Sequence, residues 1–339
     1  MKKFILSAAF ALITFCASAA FGDIFSEMYL NYLVMDDDAS TDYPKVWVIG
    51  PSTAGSTQPN LSLSIPTAVT HDGVTYRVTQ IDAKAFSGKT NIVQASIGYG
   101  ITHIGNEAFK GCSKLVYVRI PSSIQSIGDN AFASCSALKE VNIANDDPST
   151  FTTSASAFPS NSDMTLGVAK TNDLRTVTAF NNLSQYSKFA TIELSSAAYD
   201  FTTDDSFAMC VTKAPSKNVP GEVKLVGVFG NSTGAFAPKA TYTHSVYSYK
   251  LVATGFRSCK DQTQIKSFDF SNATNLKTID CYTFSGCTNL TSVNLGSTVD
   301  QIELYAFENV PISSITIPKS VSYIGYLAFN KCPNLSAIS

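Results

Sequence analysis

Apolar residues follow two superposed patterns along this chain. On the short scale, Leu115, Val118 and Ile120 alternate with Tyr117 and Arg119. That alternation predicts a short strand with one face turned inward. Pro121 follows and cannot continue a central ladder, so the strand ends there. Ile124 and Ile127 form a second inward-facing stretch, and Gly128 turns the chain. Asp129 is placed to cap a short helical turn carrying Ala131 and Phe132. On the long scale, Phe86, Phe109 and Phe132 recur every 23 residues, and Phe284, Phe307 and Phe329 recur at 23 and 22. One such coil cannot bury its own apolar edge. Stacking buries that edge against the next coil, so the repeats predict one elongated core.

The full unit runs from Ile120-Pro121 through Ile124, Ile127-Gly128 and Ala131-Phe132 to Cys135. It recurs from Ile97 to Cys112, with Gly98 in place of the proline, and from Ile317 to Cys332. This pattern resembles the BspA-like leucine-rich repeat family of exported bacterial proteins. Gly73 to Ile81 is similar to the stretch that leads into the first repeat of that family. The resemblance implies a β-rich solenoid with short helical turns and a ~23-residue period. It also implies a cell-surface or secreted protein of host-associated bacteria, with adhesion to host matrix proteins or other cells in some members.

A second repetition divides the chain. Thr70-His71 to Val78 aligns with Thr243-His244 to Leu251 at a constant offset of 173 residues. Strand-like runs precede each copy: Tyr29 to Met35 and Val46 to Ile49, then Phe207 to Thr212 and Val223 to Phe229. Two tandem capped repeat modules are expected, at residues 20–195 and 196–339, after a signal peptide at 1–19. Met164 to Lys170, Thr171 to Leu183 and Tyr186 to Ile192 resemble the closing strand, helix and sealing aromatic of family arrays. No equivalent follows the second array, which stops at Leu335 to Ser339, one strand into a new coil. That edge is expected to weaken the second half or to pair with another surface.

The N-terminus reads as an export signal. Met1-Lys2-Lys3 supplies positive charge, Phe4 to Phe15 is apolar, and Ala17-Ser18-Ala19 offers a cleavage site. Cleavage after Gly22 is the alternative. Phe15 ahead of Cys16 argues against lipid attachment there. No later run is long enough for a transmembrane helix.

Composition narrows the function. Charged residues make up only 15%, against roughly 25% in an average soluble domain, while 75 Ser and Thr residues keep the chain polar. The net charge of −2 leaves no cationic excess for phosphates, which disfavours nucleic-acid binding. Cys112, Cys135, Cys287 and Cys332 each follow a repeat Phe by three residues. Such placement reads as a small hydrophobe of the core; oxidation between neighbouring coils stays open. No CxxC spacing suggests a metal site, and no cofactor motif occurs. His71 and His244 occupy matching cap positions and read as structural. His103 lies in a repeat turn and is expected to face solvent. Asp36, Asp37, Asp38 and Asp42 lack the spacing of a calcium loop and read as a solvated turn. Trp47 reads as cap core rather than a binding residue. Neither GxSxG nor HExxH occurs, and a non-enzyme is expected.

What remains is surface. Outward strand positions of successive coils line up into a ladder face on which solenoids bind partners. In the first module these are Gln94, Ser96, Tyr117, Arg119, Glu140 and Asn142. In the second they are Ser267, Asp269, Ser292, Asn294, Ser314 and Thr316. Tyr117 and Arg119 are of the types favoured at interfaces. The expected partner is a protein, with a host matrix or cell-surface protein implied by the resemblance. The alternative is a glycan-binding accessory protein, with Tyr117 or Trp47 stacking on sugar.

Overall fold

The computed structural model describes residues 22–36, 43–161, 163–169, 175–195, 197–230 and 233–339. The export signal with Cys16, the acids at Asp37, Asp38 and Asp42, and the first part of the predicted closing helix lie outside these residues.

Each module is a β-solenoid with two parallel faces and a third side of turns. In the first module, Leu61–Ile65, Ile92–Ile97, Tyr117–Ile120, Glu140–Ile143, Thr165–Ala169 and Thr191–Ser195 stack in that order into one sheet. The strand Tyr117–Ile120 ends where Pro121 removes the next N–H, as the sequence requires. Gly98 occupies the same position one coil earlier, and its N–H donates to the Ile65 carbonyl at 2.8 Å. Proline has no such proton. A side chain at 98 would also strike Ile65, Pro66 and Thr67 backbone atoms. This close approach explains the departure from the repeat.

The second face begins with a cap. Ile24–Glu27, Leu30–Asp36 and Lys45–Pro51 are antiparallel, then Val74–Ile81 joins Lys45–Pro51 in parallel and leads into the two-residue strands of the coils. The second module repeats this order with Phe201–Thr202, Phe207–Lys213, Gly221–Val228 and Tyr247–Thr254. The strand-like runs ahead of the two copies therefore form equivalent sheets.

The repeat phenylalanines form the spine of each core. Phe86, Phe109, Phe132 and Phe158 stack with centroids 5.0–5.4 Å apart and planes within 13°. Phe189 closes the column edge-on, at 5.2 Å and 68°. In the second module Phe284, Phe307 and Phe329 stack 5.3 Å apart. Cys259 holds the spine position before Phe284: its N–H donates to the Thr283 carbonyl, just as that of Phe109 donates to Ala131. Phe268 and Phe270 fill the space beside it, each packing on Phe284. The repeat thiols form a second column. Cys112, Cys135, Cys287 and Cys332 each donate to a carbonyl one coil back, at 3.0–3.2 Å. All seven described cysteines are free.

The predicted helical turns are not helices. Ala131, Ala133 and Cys135 each donate to a carbonyl three residues back, which gives a series of tight turns. Asn130 interrupts them with a φ of 55°, and Lys84, Glu107, Tyr282, Tyr305 and Leu327 repeat that left-handed conformation two residues before the spine position. A helix cannot propagate through such a residue. Asp129 accepts from Ser154 of the next coil instead of capping a helix. The closing helix of the first module spans Arg175–Asn181 among the described residues, followed by a short 3-10 turn at Ser184–Tyr186.

Two apolar clusters hold these elements, one from Phe25 to Phe189 and one from Phe201 to Ala328. A third, smaller cluster joins them. It consists of Ala144, Ala169, Ala198, Ala208, Cys210 and Val226, small side chains that let the modules approach closely.

Candidate interaction surface

The ladder positions do line up. Gln94, Tyr117 and Glu140 stand opposite one another across three strands, and Ser96, Arg119 and Asn142 form the adjacent row. The two rows differ in what covers them. Gln94 is exposed, and Tyr117 and Glu140 are half-buried. Arg119 lies 4.2 Å from the centroid of Tyr199, which reaches over it from the segment joining the modules. Asn142 is fully buried: its amide donates to Glu140 at 2.6 Å, and it occupies the space above Gly167 where a side chain would stand. Arg119 thus lies under the segment joining the modules, and Asn142 is buried within the first module's own sheet.

Asp200 makes the central contact of this seam. Its carboxylate accepts from the Ser122 N–H and hydroxyl and from the Val211 N–H, each at 2.7 Å. Burial pushes its pKa up to about 6, against the pull of those donors and of Arg119. Nearby, Tyr99 meets Tyr249 edge-on at 6.4 Å, and Arg77 lies over the Tyr247 ring.

The second module leaves its ladder open. Ser267 faces Ser292 and Asp269 faces Asn294 across parallel strands. Ser292, Asn294, Ser314 and Thr316 are exposed, and Ser267 and Asp269 are half-buried. Asp269 and Asn294 also accept from the backbone two residues on, which turns the chain at the strand ends. The row is flat, short-chained and nearly uncharged.

Trp47 is half-buried on the outward side of the cap sheet, between Leu33 and Gln80, while its neighbours Val46 and Val48 point into the core. The expectation of a core tryptophan is corrected by this alternation. His103 begins a two-residue strand, is half-buried, and bonds Thr102 at 2.7 Å. Among the described residues, no three His, Cys, Asp or Glu side chains converge on a metal position, and no helix is long and apolar enough to cross a membrane.

The family model for the BspA type leucine rich repeat region matches residues 73–186 and 254–339, in six copies. Similar solved structures include leucine-rich repeat proteins of two Bacteroides species. The one from Bacteroides capillosus is 24% identical over 43% of this chain and 97% of its own, with a TM-score of 0.36. The one from Bacteroides ovatus is 18% identical over 93% and 94%, with a TM-score of 0.35. The pneumococcal vaccine antigen PcpA is 17% identical over 94% and 82%, with a TM-score of 0.32. No curated protein matches the chain.

Proposed function

This chain belongs to the BspA type leucine-rich repeat family, and from that premise we propose that it is an exported, non-catalytic interaction module of the bacterial cell surface. Its partner is a protein, of the host matrix or of another cell surface. The open ladder of the second module carries this reading: Ser292, Asn294, Ser314 and Thr316 lie exposed on successive coils. Short, weakly charged side chains on a rigid sheet give a partner broad backbone and hydroxyl contact with little side-chain entropy to lose. The two modules act as separate folding units, each with its own cap and core.

The test is binding of the mature chain to a panel of immobilised matrix and cell-surface proteins. Ser292→Arg with Ser314→Arg places two long side chains across the open row. The double variant is expected to melt like the parent and to lose at least tenfold in affinity for any partner found. Unchanged affinity removes the ladder from the site. Reproducible turnover of an ester, peptide or glycoside, lost on a point substitution, overturns the non-catalytic reading.

A further inference from the structure

Between the two modules lies a cleft of about 300 Å³. Its floor is the first module's sheet at Ser64, Ser96 and Arg119, and its far wall is the second cap at Thr202, His244 and Ser245. Two features of this cleft are not explained by folding. Thr67, only 3% exposed, lines it with a hydroxyl that has no hydrogen-bond partner among the described residues. Arg119 lines it too, with its guanidinium stacked on Tyr199 and its buried Nε–H equally without a partner there. Buried polar groups are nearly always satisfied, and an orphaned one is costly to the fold.

Asp200 also lines the cleft but does not fill this role, because both of its oxygens are committed to Ser122 and Val211. His244 is held in the neutral form by burial and by Arg119, so its ring offers one donor and one acceptor.

We propose that this cleft binds a carboxylate-bearing sugar of monosaccharide size, with the carboxylate on Arg119 and the ring hydroxyls on Thr67 and the serines. A planar guanidinium with unused donors pairs with a carboxylate in a fork geometry. The hydroxyls of Ser64, Thr67, Ser96, Thr202 and Ser245 suit a polyol, since each both donates and accepts, while Ile65, Pro66, Ile97 and Phe201 offer apolar wall to the C–H faces of a ring. The volume is at the low end for small-molecule sites and leaves no room for a peptide turn. This site is independent of the open ladder.

Calorimetric titration of the mature chain with sodium glucuronate tests it, with glucose and N-acetylglutamate amide as comparison ligands. Glucuronate is expected to bind at least tenfold more tightly than either. Arg119→Lys keeps the charge but loses the fork, and is expected to weaken binding about tenfold. Thr67→Val keeps shape and removes the orphaned hydroxyl. It is expected to weaken binding several-fold while leaving the melting temperature equal or higher. Glucose binding as well as glucuronate, tighter binding of the glutamate derivative, unchanged affinity in both variants, or no heat up to about 10 mM overturns the proposal. Ser292→Arg, remote from the cleft, is expected to leave glucuronate binding unchanged, so loss of the ladder reading and loss of this one are told apart.

Discussion

His244 lies flat on Phe201, with ring centroids 4.5 Å apart and planes 7° from parallel. His71 lies on Phe25 in the same way, at 4.2 Å and 4°. In each cap a tyrosine, Tyr249 or Tyr76, tilts against the same phenylalanine at 5.1 or 5.4 Å. The duplication is thus one of packing as well as sequence: a hairpin histidine pins the first strand of each module to the cap sheet. The two differ in setting. His71 bonds Glu27 at 2.8 Å, whereas His244 sits in the seam, where burial holds its acidity below the usual imidazole range.

That setting gives the seam two opposed pH responses. A histidine whose folded pKa is lowered stabilises the fold above the unfolded value near 6.5, and this contribution is lost as pH falls below it. An aspartate raised from 3.8 to about 6 works the other way: its contribution is full below 3.8 and lost as pH rises through 6. Asp200→Asn removes the second response alone. Its melting temperature is expected to fall more steeply than that of the parent between pH 7 and pH 4. Parallel melting profiles would show that Asp200 does not change protonation in this window.

The spine makes Phe109 the most demanding core position of the first module. It is fully buried between Phe86 and Phe132. Phe109→Ala is expected to cost ~3–5 kcal/mol, and calorimetry should show the first module melting earlier than the second. An unchanged melting profile would reject the register of the stack.

The same column marks a position that resists repair. Cys259 stands where other coils place phenylalanine, and it is fully buried in a cluster where Phe268 and Phe270 pack on Phe284, the next ring of the column. Cys259→Phe restores the repeat pattern and is expected to destabilise by about 1–3 kcal/mol through overpacking. Stabilisation in urea unfolding would mean that the pocket beside Phe284 is under-filled.

These cases show what the sequence carries and what it hides. Phe109 was legible because each coil must present one large apolar group at a fixed offset. The coil of Phe158 was not, because it lies 26 residues after Phe132 and its strand is only Thr152–Thr153. Phe256, three residues before Cys259, imitates the repeat and masks the true spine position. Alternation assigns Arg119 and Asn142 to the outward side, but it records a side of a sheet and not what the rest of the chain lays upon it. Tyr199 and Asp200 sit in a joining segment with no period, so the cover and the cleft behind it had no signal in the chain.

Left-handed backbone gives a prediction of opposite sign. Lys84 has a φ of 60° and an exposed side chain whose contact with Glu107 is 3.9 Å. L-residues pay roughly 1–2 kcal/mol in this region, and glycine does not, although it loses more chain entropy on folding. Lys84→Gly is therefore expected to stabilise by about 0.5 kcal/mol in thermal unfolding. A loss of stability would mean that the ion pair outweighs the backbone.

The Asp200 contact also sets a mechanical hierarchy. Tension applied along the chain must pass from one module to the other through the joining segment. Within a module, tension meets ladders of parallel strands and a column of stacked rings. Between modules it meets one carboxylate, a patch of small side chains, aromatic edges and the Arg77–Tyr247 contact. The seam therefore parts first, lengthening the molecule while both solenoids stay wound, and it can close again when the pull ends. A molecule built this way gives under load before either solenoid unfolds.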